Sequence, residues 1–222
     1  GRFSWNKVLP YWLAQVLGAF VAALILYYVY QGALTNALHA NGLTIGQIAQ
    51  GPTFGGKGLG YIFYTGHRSF VGGFGAFGDE FIGTALLVGL ILAIVDGRNQ
   101  PVQANLNPLI IGILIVAIGA SFGANTGYAI NPARDFGPRL WIGFVSGFAS
   151  FSADNFYFWV PIVAPLLGGA VGGLIYDYTL GKVLQAKMLM KSGTAETIGE
   201  AVREPSPDTE TRGRSVREEP SA

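Results

Sequence analysis

The chain has 222 residues, of which 50% are hydrophobic and 12% are charged. Soluble domains carry about 25% charged residues, so this composition predicts an integral membrane protein in a lipid bilayer. The formal net charge of +1 and the absence of cysteine exclude the basic stripe of a nucleic-acid-binding protein, a disulfide framework and a cysteine-ligated metal site.

The chain begins with an apolar segment and a long polar connection. Residues 8–30 form an uncharged run that can cross a hydrocarbon core of about 30 Å, with aromatic residues at its ends. Residues 31–78 are rich in Gly, Thr, Gln and Asn and should lie outside the bilayer. They contain both histidines, His39 and His67, which are far apart and have no third ligand. We expect solvated loop residues there and no metal site.

Three further apolar segments complete a set of four predicted spans. They cover residues 81–95, 106–124 and 157–176. The first of these is short and reaches the length of a span only if Asp79 and Glu80 lie within the helix or at its mouth. The last contains glycines at a spacing that allows close helix approach, namely Gly168, Gly169, Gly172 and Gly173.

The basic residues near the predicted spans indicate the orientation of the chain. An even number of spans returns the chain to the side on which it started. The basic residues fall at the termini or between the second and third spans, which the positive-inside rule places in the cytoplasm. They are Arg2, Lys7, Arg98, Lys182, Lys187 and Lys191. We therefore expect a multi-pass protein with both termini cytoplasmic. The membrane that we expect to hold it is the plasma membrane.

The sequence TGYAINPARDFGPR, residues 126–139, places charge between the third and fourth spans. Asn131 followed by Pro132 is typical of a helix start, because the asparagine caps backbone N–H groups and proline fits the first helical position. A helix from there to about Gly143 or Gly147 would cross about half of the bilayer. We therefore predict a re-entrant half-helix, preceded by non-helical backbone that lines a cavity.

Arg134 lies in the first turn of this predicted half-helix. A positive charge there opposes the helix macrodipole and is costly in lipid, so it indicates a functional or well-paired position. The alternative is the start of a soluble helix in which Asp135 balances Arg134.

The residues GYAINPARDFGP resemble the second Asn-Pro-Ala loop of the major intrinsic proteins, and the aspartate after the arginine resembles the glycerol-conducting branch, the aquaglyceroporins. Four separated segments are similar to that branch and appear in its order: QVLGAF, GLILAIVD, LIIGILIVAIGASFG and FWVPIVAPLLGGAVGG. The resemblance covers most of residues 1–183. It implies an all-α membrane protein with four transmembrane helices and one re-entrant half-helix, the C-terminal two-thirds of an aquaporin-like inverted-repeat bundle.

The resemblance implies roles for the residues of this loop. Asn131 would present its side-chain amide to a single file of permeant molecules at the channel midpoint. Arg134 would donate hydrogen bonds to substrate hydroxyl groups at the narrowest point. Pro132 and Ala133 would start the half-helix. Four backbone carbonyl groups would accept hydrogen bonds from the same file, those of Gly127, Tyr128, Ala129 and Ile130.

Three side chains would shape this path. The Tyr128 ring would form an apolar wall for a carbon backbone; the alternative is an interfacial tyrosine. Glu80 would brace the re-entrant loop by accepting its backbone N–H groups. The alternative for Glu80 is an ordinary acidic residue in the first turn of a helix, beside Asp79. Asp135 would brace the loop together with Glu80.

These assignments imply a passive channel whose permeants are glycerol, other small uncharged solutes and water. The charge of Arg134 and the positive end of the half-helix would repel protons and cations. The resemblance implies no cofactor, no metal and a homotetramer of the full-length protein. We expect no enzymatic activity, because the spans contain no nucleophile with a base and no metal cluster. A water-selective channel and a non-conducting membrane scaffold are the alternatives.

The chain departs from the family pattern, in which two halves each contribute a half-helix. It contains one Asn-Pro-Ala sequence, and Asn107-Pro108 starts the third span. The tryptophan often found in the filter of glycerol channels has no counterpart among Trp5, Trp12, Trp141 and Trp159. We therefore expect that the chain does not enclose a pore alone. It would be a fragment or truncated product, or a shortened protein that pairs with another chain.

The C-terminal end differs in composition from the rest. Residues 187–222 hold six of the 14 basic and seven of the 13 acidic residues, with few apolar ones. We assign residues 1–186 to the transmembrane domain and residues 187–222 to a disordered cytoplasmic tail. Ser206 and Ser215 are candidate phosphorylation sites in that tail.

Overall fold

The computed structural model describes residues 3–50, 58–100 and 102–203, and every regular element in these ranges is helical. This confirms the predicted all-α fold class. The chain divides into two compact units, Gly1–Tyr178 and Thr179–Ala222. The first unit therefore ends before the predicted boundary at residue 186.

Helices of the first unit follow the predicted order of elements. They are α1 (Val8–Val29), α2 (Gln31–His39), α3 (Gly73–Val95), α4 (Asn107–Thr126), α5 (Pro132–Val145), α6 (Ala149–Phe156, interrupted at residues 153–155) and α7 (Val160–Tyr176). Short 3-10 helices cover Trp5–Lys7, Ile45–Gln47, Leu59–Ile62 and Tyr157–Trp159, and a π-helical segment, Asp177–Gly181, follows α7.

Four segments in the described part of the chain are long and apolar enough to cross a membrane, judged by length and composition. They lie within Trp5–Val29, Gly73–Val95, Asn107–Thr126 and Ala149–Gly193. The four predicted spans are thereby confirmed. The second begins at Gly73 because the apolar, glycine- and phenylalanine-rich segment before residue 81 is part of helix α3, which therefore contains Asp79 and Glu80.

Helices α3 and α7 pack closely through glycines of α7. Gly168 and Gly172 lie one turn apart on one face of α7. A Cβ atom added at Gly168 would collide with the carbonyl oxygen of Phe81, and one added at Gly172 would collide with that of Ala85. Glycine is therefore needed at both positions for the two backbones to approach, as the small-residue spacing predicts.

The half-helix α5 packs between α1 and α7. It crosses α1 at Gly137, where an added Cβ atom would lie 2.7 Å from the carbonyl oxygen of Val16 and 2.8 Å from Cβ of Ala19. A buried apolar cluster then joins α1, α5 and the connection between α1 and α3. Its members include Ala23, Tyr27, Phe63, Tyr64 and Ile142.

The connection between α1 and α3 contains more regular structure than its polar composition predicts. It contains helix α2, in which Leu34 and Leu38 are buried. These two leucines are four residues apart and so lie on one face, which packs into the apolar cluster. One such pair is too short a pattern to distinguish a helix from a loop in the sequence.

The second unit contains helix α8, Lys182–Arg203. Residues 187–203, which the sequence analysis assigns to a disordered tail, are helical in the structure. The polar sequence TAETIGEAVR contains several alanine and glutamate residues, which are good helix formers, and this propensity competes with its low hydrophobicity. Ser206 and Ser215 lie outside the described residues.

Candidate functional site

The backbone between α4 and α5 has a row of carbonyl groups that no donor in the described part of the chain contacts. Residues 127–130 are non-helical, and all four of their N–H groups are hydrogen-bonded. Their acceptors are the carbonyl oxygen of Gly123, the hydroxyl group of Thr126 and the carboxylate of Glu80. Among the described residues, no donor contacts the carbonyl oxygens of residues 127–130. These oxygens are therefore available to other partners.

Three of the same four residues have an unusual backbone conformation, with a positive φ angle. Gly127, Tyr128 and Ile130 have φ angles of 86°, 41° and 41°. Glycine adopts positive φ readily, but a β-branched residue such as Ile130 does so only under strain, at a cost of about 1–3 kcal/mol. The segment therefore needs contacts that hold it in place, and strain of this kind is concentrated at functional sites.

Glu80 supplies two of those contacts from the interior of α3. Its Oε1 accepts a hydrogen bond from the backbone N–H of Ala129 at 2.9 Å, and its Oε2 accepts one from Ile130 at 2.6 Å. The side chain is fully buried. Because α3 begins at Gly73, the alternative of an acidic residue in a first helical turn is wrong.

Asp79 is buried beside Glu80, and the sequence reasoning gave it no role of its own. Its carboxylate accepts hydrogen bonds from Nδ2 of Asn125 at 2.8 Å and from Oγ1 of Thr126 at 2.6 Å. Asn125 and Thr126 are the last two residues of α4. The pair of acidic residues in an apolar span was the available signal, because charges inside a span require partners.

The half-helix begins at Pro132, with Asn131 as its N-cap. Oδ1 of Asn131 accepts hydrogen bonds from the backbone N–H groups of Ala133 at 3.0 Å and Arg134 at 3.4 Å. The N–H group at the first position of a helix has no partner within the helix. Pro132 has no N–H group, so it leaves no donor unpaired there. No acceptor among the described residues contacts Nδ2 of Asn131, so that amide group can still donate.

Arg134 borders a cavity of about 970 Å³ between α1, α5 and the connection that follows α1. Its Nη1 donates to the carbonyl oxygen of Phe63 at 3.0 Å. Within the described ranges no other acceptor contacts the guanidinium group. Asn131 borders this cavity and a second one of about 270 Å³. Both side chains therefore face open space.

Asp135 pairs with Arg139 and not with Arg134. Both side chains are fully buried, and Nε of Arg139 lies 2.7 Å from Oδ1 of Asp135. Oδ2 of Asp135 accepts hydrogen bonds from N and Oγ1 of Thr65, both at 2.7 Å. The alternative in which Asp135 balances Arg134 is therefore wrong. Asp135 holds the connection between α1 and α3, whereas Glu80 holds the re-entrant loop.

Arg139 was missed by the sequence reasoning. Its Nη1 donates to the carbonyl oxygen of Ser150 at 2.9 Å, and its Nη2 donates to that of Thr65 at 2.8 Å. The guanidinium group also lies over the Tyr64 ring, 4.2 Å from its centroid. Burial raises the pKa of the Tyr64 phenol, which stays neutral. The available signal was the spacing of four residues between Asp135 and Arg139, which places both on one helix face.

The Tyr128 ring packs against α4. An added Cβ atom at Gly119 or at Gly123 would lie 2.8 Å from atoms of this ring. The ring can therefore pack against α4 only because both residues are glycine. The residue is 38% exposed and does not border the two cavities described above. The sequence reasoning missed both glycines, although their spacing of four residues marks one face of α4.

His67 is part of the packed connection, so the expectation of a solvated loop residue is wrong for it. Its Nδ1 lies 2.7 Å from Oδ2 of Asp154, and its ring stacks on Tyr157 with centroids 5.5 Å apart. His39 is exposed. In the part of the chain that the structure describes, no group of three or more His, Cys, Asp or Glu side chains could hold a metal ion.

The arrangement of spans, re-entrant loop and half-helix agrees with comparisons with known proteins. The family model described as major intrinsic protein matches residues 1–176. The chain belongs to the major intrinsic protein family. Three relatives in this family are similar over 177 residues or more: Aquaglyceroporin-3 of Trypanosoma brucei brucei and Aquaglyceroporin-2 of Rhizophagus irregularis, both 44% identical, and Aquaporin-9 of Mus musculus, 39% identical.

The similarity extends to a solved structure of a major intrinsic protein. The X-ray structure of the aquaglyceroporin from Plasmodium falciparum superposes with a TM-score of 0.70 and 32% sequence identity, covering 83% of this chain and 69% of that one. The three relatives named above are matched over 79–81% of this chain but over only 54–57% of their own length. The chain thus spans about half the length of these relatives.

Proposed function

We propose that this chain supplies the C-terminal two-thirds of a passive channel for glycerol and other small uncharged solutes, with water. The proposal is carried by residues 127–130, where every N–H group is bonded within the protein and the carbonyl oxygens have no donor among the described residues. Hydroxyl groups of a permeant can donate to this row as they lose water, without being bound tightly.

Two donors complement this row of acceptors. Nδ2 of Asn131 and the guanidinium group of Arg134 face cavities and can donate to the oxygen atoms of a permeant. A polyol both donates and accepts, so it can exchange its hydration for contacts with both sets. Arg134 and the positive end of α5 oppose the entry of cations and protons, which keeps the flux electroneutral.

Two observations support a glycerol channel over a water-selective channel: the names of the relatives, and Tyr128. Aquaglyceroporins are found both among the relatives and among the solved structures that resemble this chain. The partly exposed Tyr128 ring offers an apolar surface for a carbon backbone. A water-selective channel remains the nearest alternative and differs in its ratio of glycerol flux to water flux.

A complete pore requires a counterpart to this chain. A second half, with its own half-helix, would close the open side of the cavity of about 970 Å³ beside Arg134 and Asn131 and leave a path for the permeant. We propose that the protein lies in the plasma membrane with both termini in the cytoplasm; the Lys and Arg positions support the orientation of the termini. We also propose that the complete protein assembles as a homotetramer. A non-conducting membrane scaffold is the second candidate.

Glycerol-driven swelling of proteoliposomes, followed by light scattering, tests the proposal. Three samples are compared: the chain alone, the chain with the N-terminal half of an aquaglyceroporin, and that pair with Arg134→Ala. We expect flux only in the two paired samples, with glycerol selectivity reduced by the substitution. Lys7→Ala in the pair is the matched control, because it removes a positive charge away from both cavities.

Each other outcome has a definite meaning. Flux from the chain alone would refute the requirement for a second half. No flux from a correctly inserted pair would favour the scaffold. Water flux without glycerol flux would favour the water-selective channel, and a robust ionic current would contradict electroneutral transport.

A further inference from the structure

Two neighbouring acidic side chains of α3 meet at a single hydroxyl group. Oδ2 of Asp79 lies 2.6 Å and Oε1 of Glu80 lies 2.8 Å from Oγ1 of Thr126. A hydroxyl group has one hydrogen, so it can donate to only one of them. If both carboxyl groups were ionised, one would face a lone pair of Thr126 at hydrogen-bond distance with no hydrogen between the two oxygens.

In the part of the chain that the structure describes, no positively charged side chain pairs with either carboxyl group. Among the described residues, Asp79 and Glu80 make no ion pair, and their side chains accept hydrogen bonds from Asn125, Thr126 and the backbone N–H groups of the re-entrant loop. The buried Tyr157 hydroxyl group has no hydrogen-bond partner there. Two like charges side by side in an apolar span are costly, and a bound proton removes one of them.

We propose that Asp79 carries a proton and that Asp79 and Thr126 are positioning residues for the carbonyl row. The Oδ2–H group of Asp79 donates to Oγ1 of Thr126, which donates its own hydrogen to Oε1 of Glu80. Oγ1 of Thr126 also accepts the N–H group of Tyr128 at 3.2 Å. This oxygen then donates once and accepts twice, which is its full capacity.

The surrounding donors place the remaining charge on Glu80. Its two oxygens face three donors, the N–H groups of Ala129 and Ile130 and the Thr126 hydroxyl group. Besides Thr126, Asp79 faces one donor, Nδ2 of Asn125. A carboxylate is stabilised by each hydrogen bond that it accepts, and both side chains are buried. Glu80 faces more hydrogen-bond donors than Asp79, so the negative charge is placed on Glu80 and the proton on Asp79.

The proton makes a continuous chain of hydrogen bonds from α3 through the end of α4 to the loop. With it in place, the N–H groups of residues 128–130 are held by Thr126 and Glu80 in one consistent direction. This opposes the strain of the positive φ angles in the loop. The role in conduction rests on the proposed channel function, whereas the position of the proton does not.

Infrared spectroscopy of the chain in lipid vesicles at neutral pH locates the proton without measuring flux. We expect the carbonyl stretch of one buried protonated carboxylic acid, which is distinct from carboxylate and amide bands. The band should shift when aspartate is isotope-labelled in its carboxyl group, stay in place when glutamate is labelled, and vanish in Asp79→Asn. Asp96→Asn is the control and should keep the band, since Asp96 pairs with Arg98 outside the spans.

Thermal unfolding of matched variants tests the positioning role. Asp79→Asn should keep the wild-type melting temperature, because its amide group can donate to Thr126 and its oxygen can accept from Asn125. Glu80→Gln should lower it, because an amide nitrogen cannot accept a backbone N–H bond. Thr126→Val should lower it, and Thr126→Ser should retain it by restoring the hydroxyl group.

Three results would overturn the proposal. The absence of a protonated-acid band would mean that both carboxyl groups are ionised. An infrared band that shifts when glutamate is labelled would place the proton on Glu80. So would a melting temperature that is lowered by Asp79→Asn and unchanged by Glu80→Gln. Equal melting temperatures for Thr126→Val and Thr126→Ser would remove Thr126 from the positioning role. None of these results depends on glycerol flux, so they are separable from failure of the proposed function.

Discussion

Arg139 is the residue on which the stability of the site should depend most. Its guanidinium group bonds the Asp135 carboxylate and two backbone carbonyl groups in a fully buried position. Removing one partner of a buried ion pair leaves an uncompensated charge and costs about 3–5 kcal/mol. We therefore expect Arg139→Met to lower the melting temperature strongly in a thermal unfolding experiment.

Arg134→Met is the matched control for this prediction, because the Arg134 side chain makes a single hydrogen bond to the described residues and faces a cavity. It should change the melting temperature far less. Adding Asp135→Asn to Arg139→Met should restore part of the lost stability, because it removes the unpaired charge. Equal effects of Arg139→Met and Arg134→Met would contradict the assignment of the buried ion pair as a structural element.

A second residue-level prediction concerns Asp96, which follows α3. Hydrogen bonds from the Arg98 side chain, then from the Tyr176 hydroxyl group and the Arg98 backbone, hold the pKa of its carboxyl group below the ordinary value. A lowered pKa in the folded state contributes stability that is present above the unfolded value of about 3.9 and is lost as the pH falls through the folded value.

We therefore expect the wild-type chain to lose more stability than Asp96→Asn when the pH is lowered from neutral to below about 4. The measurement is the melting temperature of both proteins across that range. At neutral pH, Asp96→Asn should be the less stable of the two, because the charge-assisted bonds to Arg98 are already absent. Parallel pH profiles would show that the group is not coupled to folding.

At the scale of elements, the packing of α3 on α7 depends on two of the four glycines in α7. A methyl group at Gly172 would meet the backbone of Ala85, whereas one at Gly173 has its nearest neighbour, Cδ1 of Leu92, at 3.9 Å. Gly172→Ala should therefore separate the helices and lower the melting temperature. Gly173→Ala is the matched control and should be neutral or slightly stabilising, since alanine favours helix. If both variants behave alike, close packing at Gly172 is not required.

The elements differ in how far the sequence predicts them. The spans and the half-helix follow from length, hydropathy and the Asn131-Pro132 start, which are local signals. Helix α2 depends on burial of two leucines against distant residues, and α8 depends on propensity in a polar stretch, so neither had a clear pattern. In the candidate site, the start of the half-helix could be predicted from local residues, whereas the contacts that hold the loops could not. Glu80 and the loop that it holds are 50 residues apart, and Asp135 and Thr65 are 70 residues apart. No local spacing reports such contacts.

For the whole molecule, the open side of the bundle is the property that matters most. The cavity of about 970 Å³ is bordered by small residues of α1, including Gly18, Ala19 and Ala22, and by Asn131 and Arg134. Small residues allow another helix to approach closely. If the channel proposal is correct, the counterpart half covers this surface and closes the path beside the carbonyl row.

Thiol labelling tests this arrangement, because the chain has no cysteine of its own to react. Ala22→Cys places a thiol in the cavity, and Ile25→Cys places one on an exposed part of α1 that does not border it. With a water-soluble reagent, we expect Ala22→Cys to react in the chain alone and to become protected when an aquaglyceroporin N-terminal half is added. Ile25→Cys should show no such change. Continued labelling of Ala22→Cys in a sample that conducts glycerol would mean that the counterpart half binds elsewhere, whereas protection without conduction would separate assembly from transport.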